Sequence, residues 1–485
     1  MADTSEPTPG DERNQDEIKP AGGPVNSPED DDEGGSLIWL SATVIALVGW
    51  GICYAVGWKL AGLLVAVVLI SIVIKEACDP FADAAQWVGD TFHIPGSVRG
   101  ATLDAIASSM PELFSGIFFV VVAMSAISDL NAEGKELTPE ERIAAQEKAG
   151  VEGYGSTIAT CAGSAVYNMI LIPAFCAIFI SFSRPSRPTI DIEDEVVARD
   201  GMWFVSCEII LILFLFQDTM FWWMAIAFLG LYAVYILQLV RDAKLYRQRI
   251  QMVMGRLQTA GVRTATSEIV AGFEAEGVMV ADSLVDKARA RLRGKDVDEE
   301  DDAPDSAGAL FGYWAIPLSG LSSTVILSVC TCVAAGACYF LVRVTNDTAL
   351  YLGVPTFFVA VILAAAASSV PDTLLSIGSA KRGDDSGAVS NAFGSNIFDI
   401  CVCLSVPLLV NSFLNGWQPV PLLQDGKPIP GLVGLRILLV TLTVITLAII
   451  WHNRQLTRNK AFVLCGLYLL FIAYAVLGSL GVLFN

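Results

Sequence analysis

The chain has 485 residues, 54% hydrophobic and 16% charged, with a formal net charge of −20. Repeated apolar runs of about 20 residues exclude a soluble domain and predict a multi-spanning membrane protein. The acidic excess excludes a nucleic-acid partner; much of it sits in the N-terminal tail and in Asp296-Val297-Asp298-Glu299-Glu300-Asp301-Asp302, which read as solvated, disordered segments.

In chain order, residues 1–36 form an acidic cytoplasmic tail and 37–57 an extra N-terminal transmembrane helix. A first five-helix repeat over 58–240 has spans at 60–78 (running on through Asp79-Pro80), 97–126, 153–182, 202–217 and 219–240. The polar segment 127–151 reads as a short exposed helix. A cytoplasmic loop over 241–310 is basic and helical at first, then acidic and unordered. A second five-helix repeat over 311–485 has spans near 316–342, 352–380, 386–413, 432–451 and 461–484. That makes eleven spans. Lys and Arg are in excess in the loops on the side of the N-terminus, which places that side in the cytoplasm by the positive-inside rule. The eleven cysteines show no zinc spacing and read as small lipid- or core-facing residues.

One stretch occurs twice. Ala107-Ser108-Ser109-Met110-Pro111-Glu112 is matched by Ala367-Ser368-Ser369-Val370-Pro371-Asp372, and each is followed by a partner, Gly163-Ser164-Ala165-Val166-Tyr167-Asn168 and Gly394-Ser395-Asn396-Ile397-Phe398-Asp399. Recurrence of both pieces in the same order marks an internal repeat. A five-helix unit contains an odd number of spans, so two consecutive copies enter the membrane in opposite senses. The expected fold is therefore an all-α polytopic membrane protein of two inverted five-helix repeats plus one extra helix, with its site at the repeat interface.

Carboxylates inside the bilayer cost at least a few kcal/mol and are functional or paired. Glu112 and Asp372 have no basic residue in their own spans, so a cation is the natural partner. Pro111 and Pro371 lack an N–H, obstruct continuous helix and free carbonyls near the acids. Ser108 shares a helical face with Glu112, and Ser368 with Asp372; Ser164 and Asn168 are spaced i, i+4, as are Ser395 and Asp399. The set of carboxylates, hydroxyls and one amide contains oxygen donors only, which suits Ca²⁺, Na⁺ or K⁺ and not zinc or copper. Glu112, Asp372 and Asp399 supply up to three negative charges, and competition of Ca²⁺ with monovalent ions for them is the simplest route to exchange. Gly163 and Gly394 serve close helix packing or ion binding.

These residues resemble the cation/calcium antiporter superfamily, and within it the potassium-dependent sodium/calcium exchangers. The likeness is carried by Gly100-Ala101-Thr102-Leu103 through Pro111-Glu112-Leu113-Phe114, by Gly163–Asn168, by Pro371-Asp372 and by Gly394–Asp399. It implies Glu112 and Asp372 as central Ca²⁺ ligands. Ser108, Ser109, Ser164, Asn168, Ser368, Ser369 and Ser395 would line the cation sites, with Asp399 at the position linked to potassium dependence. It also implies alternating access, in which two helices at about 60–92 and 316–345 slide past a fixed eight-helix body. Asp104, where the family has an apolar residue, is either an extra vestibule acid or a polar contact at the helix end. Ala107, Ala367, Met110 and Ser368 are further departures.

The expected activity is a secondary antiporter exchanging Ca²⁺ for Na⁺, with K⁺ as a possible co-substrate. It is not an enzyme and needs no organic cofactor. Its partners are inorganic cations and the lipid bilayer of the plasma membrane, as a monomer or homo-oligomer. The alternative is exchange of H⁺ for Ca²⁺ or another divalent cation. A two-aspartate intramembrane hydrolase would not require the duplicated motif, and a scaffold would tolerate loss of the acids.

Overall fold

The computed structural model describes residues 28–92, 100–132, 138–185, 187–191, 194–275, 280, 282–293, 304–383, 385–424 and 426–482. Most of the N-terminal tail, the run Asp296–Asp302, Arg99 and Lys135 lie outside them. Helix α1 (Pro28–Val56) turns at Gly57 into α2 (Lys59–Thr91). There follow α3 (Ala105–Ala132), α4 (Pro139–Ser183), α5 (Asp194–Leu215), α6 (Trp222–Ala260), α7 (Thr266–Ala275) and α8 (Asp282–Leu292). The second half contains α9 (Gly320–Leu352), α10 (Thr356–Ser368), α11 (Val370–Arg382), α12 (Asp385–Phe398), α13 (Ser405–Leu414), α14 (Leu432–Trp451) and α15 (Arg458–Ser479).

Among the described residues, nine helical segments are long and apolar enough to cross a membrane, and α10–α11, bent by 41° at Ser369, raises this to as many as ten. The remaining expected span, 202–217, falls in α5, which carries Arg199, Asp200 and Glu208. Asp200 and Glu208 are buried against protein. Asp200 accepts two hydrogen bonds from Arg199, at 2.7 and 3.0 Å, and one from Ser390 at 2.5 Å. Charge in α5 is thus absorbed inside the bundle, away from lipid.

The core forms around α4 and the α12–α13 segment, each with 67% of its apolar stretch buried, the highest share among the nine single spans. Tyr154, Ile158, Ile170, Ile172 and Ile180 of α4 are fully enclosed. Helix α1 is peripheral, and Ile45, Val48 and Tyr54 point outward. Helices α2 and α9 pack more against each other than against any other helix.

Three local features depart from the sequence reading. The polar segment before span 153–182 is no separate helix. Thr138 accepts the Glu141 N–H at 3.3 Å and Glu141 accepts the Thr138 N–H at 2.9 Å, a capping box with Pro139 at the helix start. The helix α4 then runs for 45 residues, with Pro173 inside it. Pro111 also lies within a continuous helix, whereas the Pro371 copy breaks. In the 241–310 insert, α6 runs on past the membrane and α7 and α8 fold back on it. Ile250, Val253 and Leu257 meet Ile269, Phe273 and Val285 in a separate apolar cluster.

The insert ends in a hairpin, Ser306–Ala309 paired antiparallel with Trp314–Pro317. Its Gly308 N–H donates to Asp83 at 3.1 Å and its Phe311 N–H to Glu76 at 2.7 Å. Ala307 is buried beside Ala84 of α2 and Ile326 and Cys330 of α9. The hairpin therefore straps α2 to the start of α9.

Gly163 and Gly394 hold the same place in the two motif copies but not the same packing. A Cβ on Gly163 would stand 2.1 Å from the Val361 carbonyl oxygen and 2.7 Å from Ala365 Cβ, while one on Gly394 would meet nothing within 4 Å. Gly163→Ala is expected to lower stability by about 1–3 kcal/mol, and Gly394→Ala to leave it within about 0.5 kcal/mol. Thermal denaturation of detergent-purified protein compares the two; equal effects would contradict this account of the α4–α10 contact.

Candidate cation site

Four segments converge at the centre of the bundle. Ser108, Ser109 and Glu112 come from α3, and Ser164 and Asn168 from α4. Ser368 ends α10, Ser369 is the break, Asp372 opens α11, Ser395 lies on α12 and Asp399 begins the turn that follows it. All ten predicted residues are buried, with at most 2% exposure. Each motif copy is preceded by a π-helical turn, Gly100–Asp104 and Ala360–Ala364, ending at the same spacing before its acid. A third π turn, Asp399–Cys403, starts on the acid itself. Such turns insert a residue and re-aim the side chains that follow, and they recur at functional sites. The segment holding Asn168 has no such turn, because α4 is continuous there.

The side chains form two linked groups. Ser164 Oγ lies 3.1 Å from Glu112 Oε1, 3.1 Å from Asp399 Oδ2 and 2.9 Å from Ser369 Oγ. Ser369 Oγ is also 3.3 Å from Glu112 Oε1. In the second group Ser395 donates to Asp372 Oδ1 at 2.7 Å and Asn168 Nδ2 to Asp372 Oδ2 at 3.3 Å. The groups are linked by Asn168 Nδ2 to Ser164 Oγ at 3.4 Å and, less directly, by Ser108 beside Ser395 at 3.5 Å. Both halves of the chain are represented in each group.

Hydrogen atoms are in short supply here. A serine hydroxyl has one proton, so Ser164 cannot donate to Glu112 and Asp399 together. Ser109 Oγ, Glu112 Oε2, Asn168 Oδ1 and Asp399 Oδ1 make no hydrogen bond of normal geometry. These are buried oxygens of the kind a hard cation takes as ligands. Among the described residues, no three His, Cys, Asp or Glu side chains are grouped closely enough to hold a metal ion by themselves. A cation here would therefore need the hydroxyls and the amide as well as the acids.

Ser368 lies beside Glu112 and Ser108 beside Asp372, and both also reach carbonyls of their own helices. Ser368 donates to the Ala365 carbonyl in its own helix at 3.2 Å, and Ser108 has Ala105 O at 3.4 Å. Asp104 lies in the first π turn and accepts from Gln86 of α2 at 3.2 Å, which makes it a polar contact between helices. Beside the prolines, Cys338 points its thiol at Pro111 O (3.5 Å) and Cys403 at Ser109 O (3.6 Å).

Sequence reasoning passed over Asn391, which is half-buried, and the buried Asn396 and Glu208. Asn391 donates to Ser376 at 2.9 Å and to Asp372 O at 3.4 Å, behind the acid. Asn396 donates to Ala165 O at 3.1 Å and joins α12 to α4. Glu208, in α5, accepts from Thr443 of α14 at 2.9 Å. The available signal was helical spacing for Asn391, one turn before Ser395, and for Glu208 its place as a lone acid in the run Met202–Phe216.

A family model described as sodium/calcium exchanger protein matches residues 58–241 and 322–477. Sodium/potassium/calcium exchanger 5 of Homo sapiens is 23% identical over 459 residues, 86% of this chain and 83% of that protein. Sodium/potassium/calcium exchanger 2 of Gallus gallus is 29% identical over 139 residues, 29% of this chain and only 21% of that protein. The crystal structure of an H⁺/Ca²⁺ exchanger covers 94% of each chain with a TM-score of 0.53 at 14% identity, a likeness of fold. The two matched blocks take in every residue of the four converging segments and leave out most of the insert. The chain belongs to the sodium/calcium exchanger protein family.

Proposed function

We propose that the chain exchanges Ca²⁺ for Na⁺, with K⁺ carried alongside Ca²⁺, at the site formed by Glu112, Asp372 and Asp399 with Ser108, Ser109, Ser164, Asn168, Ser368, Ser369 and Ser395. The observation that carries this reading is the position of Ser164 Oγ, 3.1 Å from a carboxylate oxygen of each half of the chain, Glu112 and Asp399. Three acids so placed in an apolar interior need cationic charge, and among the described residues none of them has a basic partner within ion-pair distance. One Ca²⁺ and one K⁺ together match three carboxylates in charge, and so do several Na⁺. The two loads exclude one another because they need the same oxygens, and that exclusion makes the process an exchange.

Asp399 fits the potassium role. It shares Ser164 with Glu112, while Asp372 is satisfied separately by Ser395 and Asn168. Alternating access would move α2 and α9 together, because each packs chiefly on the other and the hairpin straps them at one end. A plasma-membrane location with the N-terminus and the insert in the cytoplasm completes the reading.

In proteoliposomes, ⁴⁵Ca²⁺ uptake is expected under an outward Na⁺ gradient and to rise with K⁺ on the Ca²⁺ side. Glu112→Gln and Asp372→Asn should each reduce it more than about 100-fold, the scale of roughly 3 kcal/mol for removing one partner of a buried charge pair. Uptake that follows only a proton gradient would replace Na⁺ with H⁺ in this account, and uptake surviving both substitutions would remove the site.

Asp399→Asn tests the potassium assignment by itself. The variant should keep Na⁺-driven Ca²⁺ flux and lose its stimulation by K⁺. Undiminished K⁺ stimulation in that variant would sink the role given to Asp399.

A further inference from the structure

We propose that Glu208 is a proton-binding site distinct from the three-carboxylate centre, and that release of its proton disturbs the seam holding Ser164 and Asp399. Glu208 lies well inside α5 and is 2% exposed. Its one hydrogen-bond partner given by the geometry is Thr443 of α14, whose hydroxyl donates to Oε1 at 2.9 Å. Beside it is a cavity of about 10 Å³, room for about one water. The walls include Ala162 and Ala165 of α4 and Ile400 and Leu404 at the third π turn, and are otherwise almost wholly apolar.

Among the described residues, no fixed charge faces this carboxyl across the cavity. From α4 the titratable neighbour is the Cys161 thiol, which lines the same space. On α5 itself Cys207 is turned to Cys401 of the π turn, Sγ to Sγ 3.6 Å. On α14 the basic residue is Arg436, two turns from Thr443 and stacked 5.3 Å from the Phe216 ring. A carboxylate with one hydroxyl donor and apolar walls lacks the counter-ion or the several donors that an ionised acid takes when buried. The neutral acid fits the space: one oxygen accepts from Thr443, and an uncharged carboxyl needs no counter-ion from the apolar walls.

When Glu208 gives its proton to water, the anion must be solvated or must separate the walls. Two of those walls are Ala165 and Ile400, the immediate neighbours of Ser164 and Asp399. Ionisation therefore acts on the Ser164–Asp399 contact of 3.1 Å from behind. The neutral form keeps that contact closed, so transport should be lost as pH rises.

This rests on the antiport reading for its transport readout, so a second readout is independent of transport. Ca²⁺ flux by the full chain in proteoliposomes is measured from about pH 6 to about pH 9 with a constant Na⁺ gradient, together with infrared difference spectra over the same range. Wild type should lose flux on the alkaline side, by up to about tenfold per pH unit beyond the midpoint for one proton. Glu208→Gln, a neutral isostere, should hold its acid-side rate across the range. Thr443→Val removes the donor that favours the anion and should shift the alkaline limb to higher pH. The wild-type infrared spectrum should lose a protonated-carboxyl band that is absent in Glu208→Gln. If Glu208→Gln keeps the wild-type pH profile and the wild-type band, the proposal is overturned. Should wild type carry no Ca²⁺ yet show the band, the antiport reading falls and the proton site stands. Intact flux with no such band removes the proton site alone.

Discussion

Two carboxylate oxygens, from Glu112 and Asp399, each lie 3.1 Å from one serine oxygen and are therefore no more than about 6 Å apart. At an effective dielectric constant near 20, two full charges at that distance repel by roughly 3 kcal/mol, and Asp372 is nearby through Asn168. A bundle whose whole stability is on the order of 5–15 kcal/mol keeps such an arrangement only if something neutralises it. No lysine or arginine does so among the described residues, which leaves cations or protons taken from the surrounding solution. The surrounding fold is best understood as the means of holding these acids close while leaving their neutralisation to mobile cations.

The backbone does that in unlike ways in the two halves. Both halves place a π turn before the motif, which sets the direction of the serines and the acid that follow. Only the second half then breaks, at Ser369, so Asp372 stands in the first turn of a new helix, where the N-terminal dipole favours a carboxylate. Glu112 has no such help, lying within a continuous helix, and it depends on Ser164 and Ser369. Gly163 permits this closeness. With no Cβ it lets α4 come against the second π turn at Val361, which brings Ser164 to the midpoint between the halves. Gly394 has no such duty, so the repeat preserves a residue type whose physical use has diverged.

The repeated motif, its partners and their convergence were legible because charge in an apolar run is costly and duplication is visible in the letters. Helix lengths were less legible. The polar stretch 139–152 reads as a short helix of its own until the capping box at Thr138 and Glu141 is seen to start the same helix that continues through the span. The Pro111 helix shows that a missing N–H does not by itself decide between a bend and a break; packing decides. Glu208 escaped attention for another reason. It lies outside the duplicated motif that directed the reading to the other acids, and only the structure reveals that it meets a hydroxyl on another helix. Asp104 was left as two alternatives, and its contact with Gln86 of α2 fits the polar one.

The same physics bears on how such a site can open. Helices α4 and α12–α13 are deeply enclosed and carry Ser164, Asn168, Ser395 and Asp399, so moving them would expose much apolar surface to the wrong surroundings. Helices α2 and α9 are less enclosed, contribute none of the ten site residues and share their largest interface with each other. Shifting them as a pair preserves that interface and changes only what covers the acids. The hairpin reinforces the pairing. It holds Glu76 and Asp83 of α2 through its backbone N–H groups and buries Ala307 between Ala84 and the first turns of α9. The more enclosed spans thus hold most of the candidate site, and α2 and α9 form a pair beside it.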